Sequence, residues 1–239
     1  MAPRATAPFA SIRRLRRDEL PHNTLALTRF LIGKAVVHDL PCGRLSGRIV
    51  EAEAYPPGDP AGHHFRGPTP RIRSMYLHPG HAYVFFNYGA HFMLNVASEP
   101  EGTAGGILIR ALEPLDGVEW MQRHRGTHKL LDLTRGPGRV AAALQIDRSH
   151  DGIDLVGVDS ALWLGEVQEP RGAFTIARTV RIGLSRAAEK LWRFYERGNP
   201  FVSGPKRLLW PANQSSVAKR SRAIRKKKSR SLAQKPHSG

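Results

Sequence analysis

The 239-residue chain carries 37 Lys and Arg against 20 Asp and Glu, a formal net charge of +17, so its expected partner is a polyanion whose phosphates release counterions on contact. Its length suits one domain of about 200 residues with loose ends. A lone cysteine, Cys42, excludes a disulfide framework and a cysteine-rich zinc site, and no apolar run of about 18 residues is present to span a bilayer.

Taken along the chain, residues 1–19 read as a flexible basic arm, with five Arg and no acid in the first 17 positions and no apolar core of a signal peptide. NTLALTRFLIG (23–33) has helical spacing, with Asn23 as N-cap and Gly33 as the stop. KAVVHDL (34–40) and GRIVEAEAY (47–55) flank a turn-rich segment, Pro41 to Ser46, and predict a hairpin. Residues 56–74 hold five Pro and three Gly, too many for an α-helix or a central strand, and predict a long functional loop. YVFFNYGAHFMLN (83–95) predicts a second hairpin with Tyr88 at its exposed tip.

Beyond it, residues 105–114 read as a strand, 115–125 and 136–146 as helices, and 153–164 and 173–184 as strand-like runs. Strands and helices do not alternate regularly. The expected fold class is therefore α+β: a single domain over 20–205, with a curved, mainly antiparallel β-sheet flanked by helices and a protruding β-hairpin. Residues 206–239 hold 11 Lys or Arg and no acid, which leaves +6 on the rest; they read as a disordered tail, compatible with non-specific contact to nucleic acid.

Glu51, Glu53 and Tyr55 alternate in one strand, so they share a face. That face is either the solvated side of an amphipathic strand or the wall of a site in which a carboxylate beside aromatic surface acts as a general base. His63 and His64 lie in the following loop without metal-ligand spacing, and a histidine there can stack on a flat ring. Tyr83 and Phe85 share a strand face, Asn95 ends the returning strand and Arg110 lies in a third. These side chains either fill the core or line a pocket for one flat polar ring.

GRIVEAEAY, the HxRG of His64 to Gly67, TPRIRSMYLHPGHAYVFFNYG and ILIRALEPLDG, in this order, resemble the alkyladenine (3-methyladenine) DNA glycosylase family over about residues 20–205. RGPGRVAAALQI, RIGLSR and RFYERGNPFVS fit the same pattern. The resemblance implies an enzyme that flips alkylated or deaminated purines out of double-stranded DNA and hydrolyses the N-glycosidic bond. It casts Glu53 as the base that activates water, with Arg110 and the backbone carbonyl of Ile182 holding that water. Tyr55, His64, Tyr83 and Phe85 would enclose the base, Asn95 would exclude the 2-amino group of guanine, and Tyr88 would be the wedge that fills the gap in the duplex. Phe85 stands where family members often have Tyr.

No metal or organic cofactor is implied, and no amine nucleophile for strand cleavage, so a monofunctional monomer is expected. Its expected compartment is a bacterial cytoplasm at the nucleoid, or a nucleus in a eukaryote, and no membrane partner is expected. The residues also admit a non-catalytic binder of distorted DNA or RNA, for which a carboxylate facing a polyanion has no use. Among 3-methyladenine, 7-methylguanine, hypoxanthine and ethenoadenine the residues do not choose.

Overall fold

A computed structural model describes residues 9–87, 89–168 and 172–209. Tyr88, residues 1–8 of the arm and the tail beyond residue 209 lie outside them. Met1–Ser203 form one compact unit and Gly204–Gly239 a second, of which residues 204–209 are described, with a 3-10 turn over Lys206–Leu208.

The first unit is built on nine strands: β1 (Ile12–Arg14), β2 (Ala35–Leu40), β3 (Gly43–Tyr55), β4 (Ala82–Asn87), β5 (His91–Ala97), β6 (Gly106–Pro114), β7 (Leu162–Val167), β8 (Ile176–Thr179) and β9 (Arg193–Glu196). They run in the order β1-β7-β2-β3-β6-β5-β4, and β9 joins β8 to the free half of the long β3. Every strand pairing among the described residues is antiparallel, and the α+β expectation holds.

Three helices pack on one face: α1 (Thr24–Leu31), α2 (Val118–Arg125) and α3 (Pro137–Ala143). α1 starts where Asn23 Oδ1 accepts from the Ala26 N–H at 2.8 Å, a cap of about 1 kcal/mol, and buries Leu27 and Leu31 one turn apart. It stops before Gly33, at φ +94°, where a Cβ would also meet the Phe174 ring at 2.8 Å. None of the helices described is long and apolar enough to cross a membrane.

Strand alternation divides the side chains. Ala82 and Val84, Leu94 and Val96, and Ile107 and Ile109 enter the core under the helices, each large one contributing roughly 1.5–3 kcal/mol by its burial. Tyr83 and Phe85, Met93 and Asn95, and Leu108 and Arg110 point the other way. In β3 the register against β6 shifts between Ile49 and Glu51 and again between Glu51 and Ala52, leaving Val50 and Arg110 without direct partners. This pair of bulges changes the parity of the strand. Leu45, Ile49, Ala52 and Ala54 all reach the core while Glu51 and Glu53 turn to the opposite face.

Several local expectations are corrected. The β2–β3 turn is only Pro41 and Cys42, since β3 already begins at Gly43. The loop over 56–74 contains two 3-10 segments, His63–Arg66 and Pro70–Tyr76, the second opened by a proline at its first position, where a missing N–H costs nothing. The arm read as flexible to residue 19 joins the sheet from Ile12, and Leu15 is buried.

The run 153–164 is a strand only from Leu162, because Asp154 and Ser160 spend their hydrogen bonds on nearby backbone and hold a turn. The run 173–184 is a strand only over Ile176–Thr179, and β9 was not anticipated.

His38 on β2 is buried between a carbonyl and a second imidazole: Nδ1 lies 2.7 Å from Leu144 O and Nε2 3.3 Å from His150 Nε2. A neutral His38 donates to the carbonyl through Nδ1, and its Nε2 meets the imidazole of His150. Burial holds its pKa below the usual 6.5. The unfolded chain takes up a proton that the folded chain refuses, so this contribution is complete above about pH 6.5 and is lost as pH falls from there toward the depressed value. The urea midpoint is expected to drop between pH 7 and 5, and His38→Gln to flatten that drop; an equally steep fall in the variant would put its origin elsewhere.

Candidate active site

One row of side chains crosses five strands on the face away from the helices. Tyr83 of β4 stands opposite Asn95 of β5, Asn95 opposite Leu108 of β6, Leu108 opposite Glu53 of β3, and Glu53 opposite Arg193 of β9. Beside it lie Phe85 opposite Met93 and Tyr55 opposite Gly106. With His63, Met75 and the segment Ile182–Leu184, these strands enclose a pocket of about 380 Å³, within the roughly 300–1,000 Å³ of ligand sites. Gly106 keeps space open, since a Cβ there would meet the Met75 methyl at 2.9 Å.

Tyr55, Tyr83, Phe85, Asn95, Arg110 and Ile182 all line this pocket, and Glu53 sits directly behind it. Glu51 and Glu53 are both 0 % exposed, which rules out the solvated-face alternative for this strand. Glu53 Oε2 accepts from the Tyr55 hydroxyl at 2.9 Å and Oε1 from the Ile182 N–H at 2.8 Å, while Arg110 Nη1 lies 3.3 Å from Oε1. The contact from Ile182 is through its amide, whereas the resemblance assigns its carbonyl. A carboxylate has about four lone-pair sites, so three contacts leave one accepting site uncommitted.

Burial, and then the adjacent Glu53 charge, raise the Tyr55 pKa, so the phenol keeps its proton and remains a donor. The Arg181 guanidinium lies 4.5 Å from the Tyr55 ring centroid and is itself paired with Asp59 in full burial. Arg110 donates from Nε to Glu51 Oε1 at 2.9 Å. Burial alone would lower its pKa, but Glu53 and Glu51 outweigh that and raise it.

The pocket wall departs from expectation at the histidines. His63 faces the pocket: its Nδ1 lies 2.9 Å from the Tyr83 hydroxyl, and its ring meets Phe85 edge-on at 4.5 Å between centroids. His64 is buried away from the pocket lining, with Nε2 2.9 Å from Pro56 O. Consecutive residues of a 3-10 turn point about 120° apart, so only one of the two can face the pocket. Protein packed around the His63 ring, and then the nearby Arg71 charge, lower its basicity. Burial likewise pushes Tyr83 up to about 12. Phe85 stacks on Tyr83 at 5.4 Å, and Asn95 donates from Nδ2 to Tyr83 O at 3.2 Å, which fixes its amide.

Asp59, Arg181 and Arg193 were not anticipated, and no local signal marks them: each acts through a partner more than 100 positions away. Among the described residues no group of three or more His, Cys, Asp or Glu is arranged to hold a metal ion.

An enclosed slot of aromatic and amide groups, backed by a buried carboxylate with one accepting position free, can hold a flat polar ring and take a proton from water beside it. Comparison with known proteins points the same way. The sequence model for methylpurine-DNA glycosylase matches residues 18–200. A protein of Mesorhizobium japonicum, provisionally named 3-methyladenine DNA glycosylase, is 58% identical over 192 residues, 80% of this chain and 91% of its own. Proteins with the same provisional name from Paraburkholderia phytofirmans and Chlorobium phaeobacteroides are 50% and 43% identical over 206 and 195 residues, covering 86% and 81% of this chain and 95% and 96% of theirs. The chain therefore belongs to the methylpurine-DNA glycosylase family.

Proposed function

We propose that the pocket receives an N-alkylated purine swung out of double-stranded DNA, and that Glu53 takes the proton of the water that attacks the sugar. The chain is a base-excision repair glycosylase, a hydrolase of N-glycosyl bonds, and binds DNA as its substrate. In the proposed step the bond between base and C1′ breaks with its electron pair leaving on the purine. Water adds to the oxocarbenium-like sugar and its proton passes to Glu53. The observation that carries this reading is the fully buried Glu53 carboxylate, held between the Tyr55 hydroxyl and the Ile182 amide immediately behind the pocket.

The lesion class follows from what the pocket offers a leaving base. Tyr83 and Tyr55 hold their protons tightly, and His63 has lowered basicity, so these walls are poor proton donors near neutrality. A purine methylated at N3 or N7 already carries positive charge and departs as a neutral base without needing an acid. Hypoxanthine must gain a proton. That supports 3-methyladenine and 7-methylguanine as the preferred substrates, in keeping with the relatives' names.

Tyr88, between Asn87 at the end of β4 and Gly89, is the proposed wedge. The pocket is complete within one chain, which supports action as a monomer, and the bacterial relatives support a cytoplasmic setting at the nucleoid. The test is a panel of duplexes, each with one lesion, assayed for free base and for strand breaks. Methylated purines should be released at least about tenfold faster than hypoxanthine, leaving abasic sites in unbroken strands, and Tyr88→Ala should weaken binding to every damaged duplex. Release from none of the lesions would overturn the reading.

A further inference from the structure

We infer that Glu51 is a positioning residue of the hydrolytic step: it withholds the Arg110 guanidinium from Glu53, so that Glu53 keeps the accepting position that water needs. The inference rests on Glu53 being the base. It begins from how Arg110 is shared. Its Nε donates to Glu51 Oε1 at 2.9 Å and its Nη2 to Ser203 Oγ at 3.4 Å, leaving only Nη1 for Glu53, end-on at 3.3 Å. Left to itself, an arginine beside a carboxylate forms a two-pronged pair at about 2.7–2.9 Å. Such a pair would cover the lone pairs of Glu53.

Glu51 is equipped to compete. Its Oε1 also accepts from Arg193 Nε at 2.6 Å and its Oε2 from the Ser203 N–H at 2.6 Å. Arg193 is fully buried; its Nη2 donates to Ser203 O at 2.6 Å, and its Nη1 is buried without a hydrogen-bond partner. A buried guanidinium left partly unsatisfied is costly, and its visible role is to balance charge: two carboxylates and two guanidiniums meet with little water between them. Burial alone would raise the Glu51 pKa, but Arg110 and Arg193 outweigh it and hold Glu51 ionised.

The bulge in β6 supplies the geometry, because Arg110 is the residue there without a direct partner and its side chain leans between Glu51 and Glu53. The groups that face Glu53 are the Tyr55 hydroxyl from its own strand, Arg110 from β6, Arg193 opposite it in β9 and the Ile182 amide from the segment after β8.

Glu51→Gln removes the competing charge and leaves one guanidinium in excess beside Glu53. Single-turnover base release from a 7-methylguanine duplex, measured from pH 5 to 9, is expected to fall about 10- to 100-fold at its plateau. The acid limb is expected to move roughly one pH unit lower, with DNA binding changed less than about threefold. Glu51→Gln combined with Arg193→Met removes the excess cation but still leaves Arg110 without its competitor, so the limb should stay low even where the single variant folds poorly. Its return to the wild-type position would overturn the inference in favour of simple charge balance.

A merely structural role lowers the rate without moving the limb, and that result, or a shift to higher pH, would overturn the inference. An active Glu53→Gln would instead remove Glu53 from its role. The two failures are thus told apart.

Discussion

Glu53→Gln is expected to release free base from a 7-methylguanine duplex at least about 10³-fold more slowly than the wild type in single turnover, while binding that duplex within about threefold. The size follows from what the substitution spares. Gln has the shape of Glu: its one oxygen can still accept from the Ile182 amide while its NH2 donates to the Tyr55 oxygen, so the pocket wall stays intact. What disappears is the negative charge beside the developing oxocarbenium and the acceptor for the proton of water, and a positioned general base contributes about 10²–10⁴-fold even before that charge is counted. The measurement needs burst conditions, because slow release of the abasic product would mask the chemical step in steady state. Equal release by variant and wild type would leave Glu53 a structural carboxylate.

Asp59→Ala is expected to destabilise the protein by about 3–5 kcal/mol, a large share of the 5–15 kcal/mol typical of a domain. Both side chains of the Asp59–Arg181 pair are fully inaccessible. Asp59 takes both guanidinium prongs of Arg181, which also donates to Ala54 O at 2.9 Å. Removing the carboxylate strands a cation in the interior, where attraction to a carbonyl and to the Tyr55 and Trp192 rings cannot replace water. Urea unfolding should show a lower midpoint at unchanged slope.

Asp59→Leu with Arg181→Met, which removes both charges at similar volume, should recover most of the loss. Activity need not return with it, because Arg181 precedes the residue whose amide holds Glu53 and packs on Tyr55. A change below about 1 kcal/mol for Asp59→Ala would mean that the pair is screened by water.

Much of this arrangement was legible in the sequence, and the exceptions have physical causes. Alternation put Glu51, Glu53 and Tyr55 on one face, although the bulges that reverse the parity between Ile49 and Ala52 left no mark in the sequence. It could not say how deep that face lies. Depth is set by β9 and by Ile182, whose contacts to Glu51 and Glu53 span 142 and 129 positions. RFYE is too short to announce a strand, and its pairing with β3 is wholly non-local. Two adjacent histidines could not be ranked without the turn that carries them, which sets His63 against Tyr83 and His64 against Pro56 O. Arg181 and Asp59 look like ordinary surface charges in a basic chain until the fold joins them across 122 positions.

The row that runs from Tyr83 to Arg193 across β4, β5, β6, β3 and β9 has a consequence for synthesis. A ribosome delivers Glu53 long before Ile182 and Arg193, and such distant contacts close slowly and late in folding. A half-made chain therefore holds the acid but not its harness. The buried setting of Glu53 is complete only once Ile182 and β9 are in place, so a product truncated before Ile182 is expected to release no base.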